Sequence, residues 1–297
     1  MNDFRAVVLP GEGTDGFCVG SSGLLLVTHD GGNTWQRVPV PTHADLFGVC
    51  FREDMLEGFI VGAGGTLLKT ADAGRSWQTV SLDTDSDIYG VCFPTERTGY
   101  IVGTFGLIMR TDDCGATWRR LMVPTTADLL AVSFPVDGET GLAVGAAGTI
   151  LRKVAGSEHW FATGGGIAGV ANLRGLCFPE DDVVGYVCGD GGTLLKTEDG
   201  GETWRRLEPS VGYVAFHRIA FPRGTEHGVC VGGAGTILST DDGGDTWTAA
   251  CCSTAEDLLG LSFRPDGEIG CACGRNGTIL LTTDGGHSWV RAESVEL

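Results

Sequence analysis

Apolar residues occur in short runs, each closed by turn-forming residues. The stretch from Leu46 is the clearest: Leu46-Phe47-Gly48-Val49-Cys50-Phe51, then Gly58-Phe59-Ile60-Val61-Gly62, then Thr66-Leu67-Leu68-Lys69-Thr70, then Ser76-Trp77-Gln78-Thr79-Val80. Runs this short, rich in β-branched, aromatic and aliphatic residues, predict strands. Four strands complete one unit. The unit recurs: Trp35, Trp77, Trp118, Trp160, Trp204, Trp247 and Trp289 are separated by 42, 41, 42, 44, 43 and 42 residues, so every tryptophan falls in one register. Seven such units leave no room for a second domain in 297 residues.

A period of 40 to 45 residues carrying four antiparallel strands is that of a β-propeller blade. The predicted fold is therefore all-β, a single seven-bladed β-propeller over 1–297, with blades near 3–40, 45–82, 87–123, 128–163, 172–208, 215–250 and 257–292. Each unit holds four complete strands, so ring closure is expected by packing of whole blades, with no strand exchanged between the termini. The second and third strands of every unit are joined by Gly-x-x-Gly, from Gly20-Ser21-Ser22-Gly23 to Gly274-Arg275-Asn276-Gly277, which suits a two-residue hairpin. The third and fourth are joined by Thr-x-Asp-x-Gly-x-Thr/Ser-Trp. Its aspartates are Asp30, Asp72, Asp113, Asp199, Asp242 and Asp284; blade 4 keeps Trp160 but has lost the motif. Here the carboxylate accepts backbone N–H bonds and the tryptophan packs into the blade stack, so this Asp-box specifies a turn and no catalyst.

Over its full length the chain resembles the single-domain, seven-bladed Asp-box propellers of the photosystem II stability and assembly factor family. The resemblance is carried by Gly-x-x-Gly-Thr-Leu/Ile-Leu runs (Gly62 to Leu68, Gly145 to Leu151, Gly232 to Leu238) leading into Thr-x-Asp-Gly-Gly-x-Thr/Ser-Trp (Thr197 to Trp204, Thr240 to Trp247). It implies a non-enzymatic factor that holds a subunit or cofactor-bearing partner of a membrane complex during assembly. Members are typically exported and use an arginine-rich surface patch. No individual arginine is carried over, because this chain holds 38 acidic against 20 basic residues, a formal charge of −18.

That charge repels nucleic acid and anionic membrane unless basic groups gather on one face. No stretch reaches the roughly 18 consecutive apolar residues of a membrane-spanning helix. The expected partner is another protein, a subunit of a larger complex. The 11 cysteines contain no CxxC pair, and most sit inside apolar runs such as Val49-Cys50-Phe51. They read as buried thiols, which fit a reducing cytosol. With an N-terminus of Met-Asn-Asp-Phe-Arg, the expected compartment is the cytoplasm, or an exported one if a signal segment has been removed. No cofactor and no metal is expected.

Residues that obey a repeat are explained by the fold; those that break it are the functional candidates. A carboxylate recurs just before the innermost strand at Asp3, Asp45, Asp87, Asp128 and Asp257, with Asn172 and Ala215 completing the series. Its repetition favours a turn cap over a cation or glycosidase role. Two positions later the series varies: Arg5, Phe47, Tyr89, Leu130, Arg174, His217 and Leu259. That mixture points to a recognition surface at the channel mouth.

Blades 4 to 6 add three departures: the lost Asp-box, a longer glycine-rich connector from Thr163 to Ala171, and Arg218 where other blades have a small residue. The expected partner surface is Arg5, Phe47, Tyr89, Arg174, Tyr213, His217 and Arg218, centred on blades 4 to 6, with Arg174 and Arg218 outside any packing rule. The acidic loops Glu53 to Glu57, Glu180 to Asp182 and Asp266 to Glu268 belong to the opposite face. Arg37, Arg120, Arg206 and Arg291 read as guards of the outermost strand edge. His29, His43, His159, His227 and His287 show no metal-ligand spacing and read as solvated surface groups. No catalytic residue is expected: the competing reading, a sialidase-like glycosidase or glycan-binding propeller, lacks a non-repeating acid beside Tyr89 or Tyr213.

Overall fold

A computed structural model of the chain describes residues 2–52, 54–135, 138–164, 171–179, 183–209, 211–222 and 224–295. Seven antiparallel sheets follow one another along the chain. In blade 1 the strands are Phe4–Val8, Gly16–Gly20, Leu24–Thr28 and Thr34–Arg37. The innermost strands of blades 2 to 7 are Leu46–Phe51, Ile88–Cys92, Leu129–Ser133, Leu173–Cys177, Phe216–Ala220 and Leu258–Phe263. Among the described residues the only helical turns are three-residue 3-10 pieces at six of the seven Gly-x-x-Gly tips.

The core is divided among the seams between blades. One cluster packs Phe17, Val19 and Leu25 of blade 1 against Leu46, Ile60, Leu68 and Trp77 of blade 2, and each neighbouring pair repeats the arrangement. The ring closes on the same terms, with Phe4, Cys18 and Trp35 of blade 1 against Cys271, Cys273 and Ile279 of blade 7. Aromatic ladders line the seams: Phe17 stacks on Phe51 at 4.3 Å, and Phe51 meets Trp77 edge-on at 6.0 Å. Phe59, Phe93 and Trp118 repeat this, as do Tyr186, Phe221 and Trp247. The cysteines are free thiols, and burial pushes that of Cys50 up to about 12.

Closure departs from the expectation in one detail. Ser294–Val295 pairs in parallel with Thr34 and Trp35, giving blade 1 a fifth strand from the opposite terminus. The repeat itself supplies the reason. At the seam before it, the segment that leaves the outermost strand of blade 6 already runs beside the next blade's Asp-box, where Cys251 bridges Ser288, and Ser294 does the same to Thr34. The last blade's exit segment meets blade 1 because the ring is closed.

The two glycines of the tip do different work. A Cβ on Gly103 would stand 2.0 Å from the Asp87 carbonyl oxygen, so the first glycine exists for close approach. The second, Gly106, has φ +65 and lies against the following linker. The residue just before it is also left-handed, at φ 58 in Ser22 and φ 57 in Phe105, which makes the loop a tight hairpin of the type that matches strand twist.

Candidate functional site: the channel mouth

Every innermost strand carries a β-bulge at its first turn. The register skips Arg5 between Phe4 and Ala6, Phe47 between Leu46 and Gly48, Arg174 between Leu173 and Gly175, and His217 between Phe216 and Arg218; Tyr89, Leu130 and Leu259 are skipped alike. A bulged residue loses its ladder partner and re-aims its side chain. All seven therefore converge on one cavity of about 260 Å³ at the channel mouth, joined by Arg218.

The mouth gathers positive charge in an acidic protein. Arg5 lies 6.0 Å from the Phe47 ring centroid, and Phe47 lies 5.3 Å from Tyr89. The Arg5 Nε is buried and has no hydrogen-bond partner among the described residues. Arg174 is tied down, its Nε 2.5 Å from Asp190 Oδ1 and its Nη2 3.1 Å from Asp190 Oδ2. Partial burial works against the Asp190 charge, but Arg174 and the Asn172 amide outweigh it and hold the carboxyl below its usual range. Arg218 donates through Nη1 to the Arg174 carbonyl at 3.0 Å and to its neighbour His217's carbonyl at 2.8 Å. Among the described residues no carboxylate lies within ion-pair distance of Arg5 or Arg218. Burial, then the charges of Arg174 and Arg218, lower His217 to about 4, so its imidazole is neutral at pH 7. The result is an arginine-lined hollow with an aromatic rim and one neutral imidazole.

The carboxylate series belongs to the scaffold. Asp45 Oδ1 accepts from Ser22 N at 2.8 Å, Asp87 from Gly64 N at 2.9 Å, Asp128 from Phe105 N at 3.0 Å, Asp257 from Ala234 N at 3.0 Å and Asp3 from Asn276 N at 3.2 Å. Asn172 does the same for Ala147 at 3.2 Å. Each acid thus caps the left-handed residue of the preceding blade's tip and staples two blades together. Ala215 offers no such acceptor to Gly191. The Asp-boxes are equally structural. Asp72 accepts from the Ser76 amide and hydroxyl and from the Thr70 hydroxyl, which hold its carboxyl at about 2. Asp113 and Asp242 behave alike, and Asp30, Asp199 and Asp284 are also shifted down. In five of those six boxes the tryptophan donates Nε1 to the loop glycine, as Trp35 to Gly32 at 2.9 Å; among the described residues Trp204, which has a box, and Trp160, which has none, both leave a buried Nε1 without a partner.

Some expectations fare differently. Tyr213 is 96 % exposed and lies outside the mouth, in a separate hollow beside Gly191, Gly192 and Arg206. Arg174 and Arg218 do have partners, Arg174 in Asp190 of its own blade and Arg218 in the Arg174 carbonyl across the seam of blades 5 and 6, which a repeat-breaking position did not disclose. The connector residues 165–170 and the acidic residues 53 and 180–182 lie outside the described residues. Phe105, 71 % exposed at the tip of blade 3, escaped the sequence reading. Its signal was available: a bulky aromatic at a left-handed position where the other tips have Ser, Gly, Ala or Asn.

The family profile described as Photosynthesis system II assembly factor YCF48 matches residues 5–84, 75–160, 117–213 and 213–296. The chain belongs to the YCF48 family. No curated protein matches it by sequence. Among solved structures, one described as YCF48 bound to D1 peptide shares 23 % identity at a TM-score of 0.77, with 95 % of this chain and 92 % of that one covered. YCF48 from Cyanidioschyzon merolae shares 21 % identity at 0.76, with 95 % of each chain covered. An ancestral GH74 enzyme superposes at 0.79 with 12 % identity, covering 97 % of this chain and 46 % of the other, which is likeness of fold alone. Membership of the YCF48 family bears out the assembly-factor reading over the glycosidase alternative. Among the described residues no helix is long and apolar enough to cross a membrane.

Proposed function

We propose that this assembly factor holds a peptide segment of a photosystem-type partner subunit at the channel mouth, as its YCF48 relative is described with a D1 peptide. The observation that carries the reading is the cavity itself: seven bulges turn Arg5, Phe47, Tyr89, Leu130, Arg174, His217 and Leu259 inward. A plug needs only apolar side chains; this sequence instead places two arginines and a histidine among the seven. Among the described residues Arg5 and Arg218 have no carboxylate partner, so their charge is left uncompensated for a ligand. Arginine and aromatic side chains dominate binding hot spots, and the guanidinium fork matches a carboxylate. An acidic or C-terminal carboxylate beside an apolar side chain is the chemistry that fits. Phe105, on the same face, would extend the contact outward.

A non-catalytic role follows the same geometry. The acids nearest the mouth accept backbone N–H bonds and are not free to act as a pair. The test is calorimetric titration of a D1 peptide into the full chain and into Arg5→Ala. Loss of about one to two kcal/mol, a factor of roughly five to thirty in affinity, supports the site. Unchanged affinity in a folded variant rejects it.

A further inference from the structure

We propose that His227, Asp241 and His287 form a binding site for a divalent transition-metal ion, Zn²⁺ above all, at the seam of blades 6 and 7 on the Asp-box face. Their Nδ1, carboxylate and Nε2 atoms all lie within 4.8 Å of one another. His227 Nδ1 stands 2.6 Å from Asp241 Oδ1, and His287 Nε2 stands 3.7 Å from the same oxygen. The two imidazoles stack with centroids 4.7 Å apart.

Hydrogen bonds fix both tautomers. His227 Nε2 contacts the Gly285 carbonyl and His287 Nδ1 contacts the Asp284 carbonyl at 2.7 Å. A carbonyl only accepts, so both of these nitrogens carry the proton. The remaining nitrogen of each ring then faces Asp241, where a cation can replace any proton it carries. Anchoring a histidine's second nitrogen on a backbone carbonyl is the usual support of a metal ligand. A single proton between His227 and Asp241 satisfies one imidazole; a cation satisfies all three groups. His29, 2.8 Å from Asp15 with no second histidine, is the ordinary proton-shared pair by comparison.

The donor set and its surroundings suit the ion. Two imidazoles with a carboxylate select zinc and its first-row neighbours over magnesium or calcium. A tetrahedral ion holds its ligand atoms roughly 3.3 to 3.5 Å apart. Reaching that spacing takes rotation of Asp241, whose side chain is 72 % exposed, with a small adjustment of His287, which keeps its bond to the Asp284 carbonyl. A hollow of about 400 Å³ beside the histidines, lined also by Asp266 and Glu268, leaves room for water in the fourth position.

Cobalt(II) serves as the spectroscopic probe, titrated into the full chain and then displaced by Zn²⁺. The expected result is one equivalent of Co²⁺ with a visible band of low-coordinate geometry and no thiolate charge-transfer band. His287→Ala, at an exposed position, should weaken Zn²⁺ by at least about tenfold, and the pair His227→Gln/His287→Ala should abolish the band. His29→Ala should change nothing. Equal Zn²⁺ affinity in wild type and His287→Ala, or a thiolate band showing that a cysteine such as the exposed Cys251 holds the ion, would overturn the proposal.

Discussion

Asp45 Oδ1 accepts the backbone N–H of Ser22 at 2.8 Å, so an acid of blade 2 closes the hairpin tip of blade 1. The bond needs an oxygen and no charge, as Asn172 demonstrates in blade 5. Asp45→Asn should therefore melt with the wild type, whereas Asp45→Ala should lose about 1 kcal/mol, the typical worth of a side-chain cap. Urea unfolding of both variants checks it; a loss in Asp45→Asn equal to that in Asp45→Ala would make the charge itself important.

The tip glycines should respond unequally. Gly103→Ala places a Cβ 2.0 Å from a carbonyl oxygen and should cost on the order of 2 kcal/mol or more. Gly64→Ala meets nothing within 4 Å at φ +60, and Ala147 and Ala234 already occupy that conformation in other blades. Its cost should stay near or below about 1 kcal/mol. Thermal melts of the two variants order them.

Acid should destabilise the protein in two steps. His217 is lowered from 6.5 to about 4, so the unfolded chain takes its proton first and stability falls as pH drops from about 6.5 to about 4. Asp72, Asp113 and Asp242 are lowered from 3.8 to about 2, so their stabilisation is complete above pH 3.8 and is lost as pH falls towards 2. His217→Gln should flatten the first step and leave the second. Melting temperature against pH for both proteins measures this.

The fold was legible because the tryptophan register fixes every other position, and with it the ring from Arg5 to Leu259. What converts that ring into a cavity, a bulge in each innermost strand, depends on pairing geometry that residue types do not encode. Contacts across seams were hidden for a related reason. His227 and His287 stand sixty positions apart in different blades, so neither local spacing nor the repeat announces their meeting at Asp241; His287 is the exposed surface group the sequence suggested, whereas most of the His227 side chain is covered. Arg218 looked unconstrained because its bonds to Arg174 O and His217 O are backbone contacts, invisible to any pairing rule of side chains. The terminal strand Ser294–Val295 was missed because its partner lies at the other end of the chain.

Arg218 tests the account most directly. Six blades keep Ala or Gly at its position, Ala6, Gly48, Gly90, Ala131, Gly175 and Gly260, so the fold does not require it. Burial lowers its pKa from 12.5, the mark of a charge held against its own desolvation. The decisive measurement is D1-peptide affinity together with the melting curve for Arg218→Ala. The account expects a melting temperature at or above that of the wild type and affinity weaker by roughly fivefold to thirtyfold. Undiminished affinity in a variant that melts like the wild type would contradict it and remove the channel mouth as the partner site.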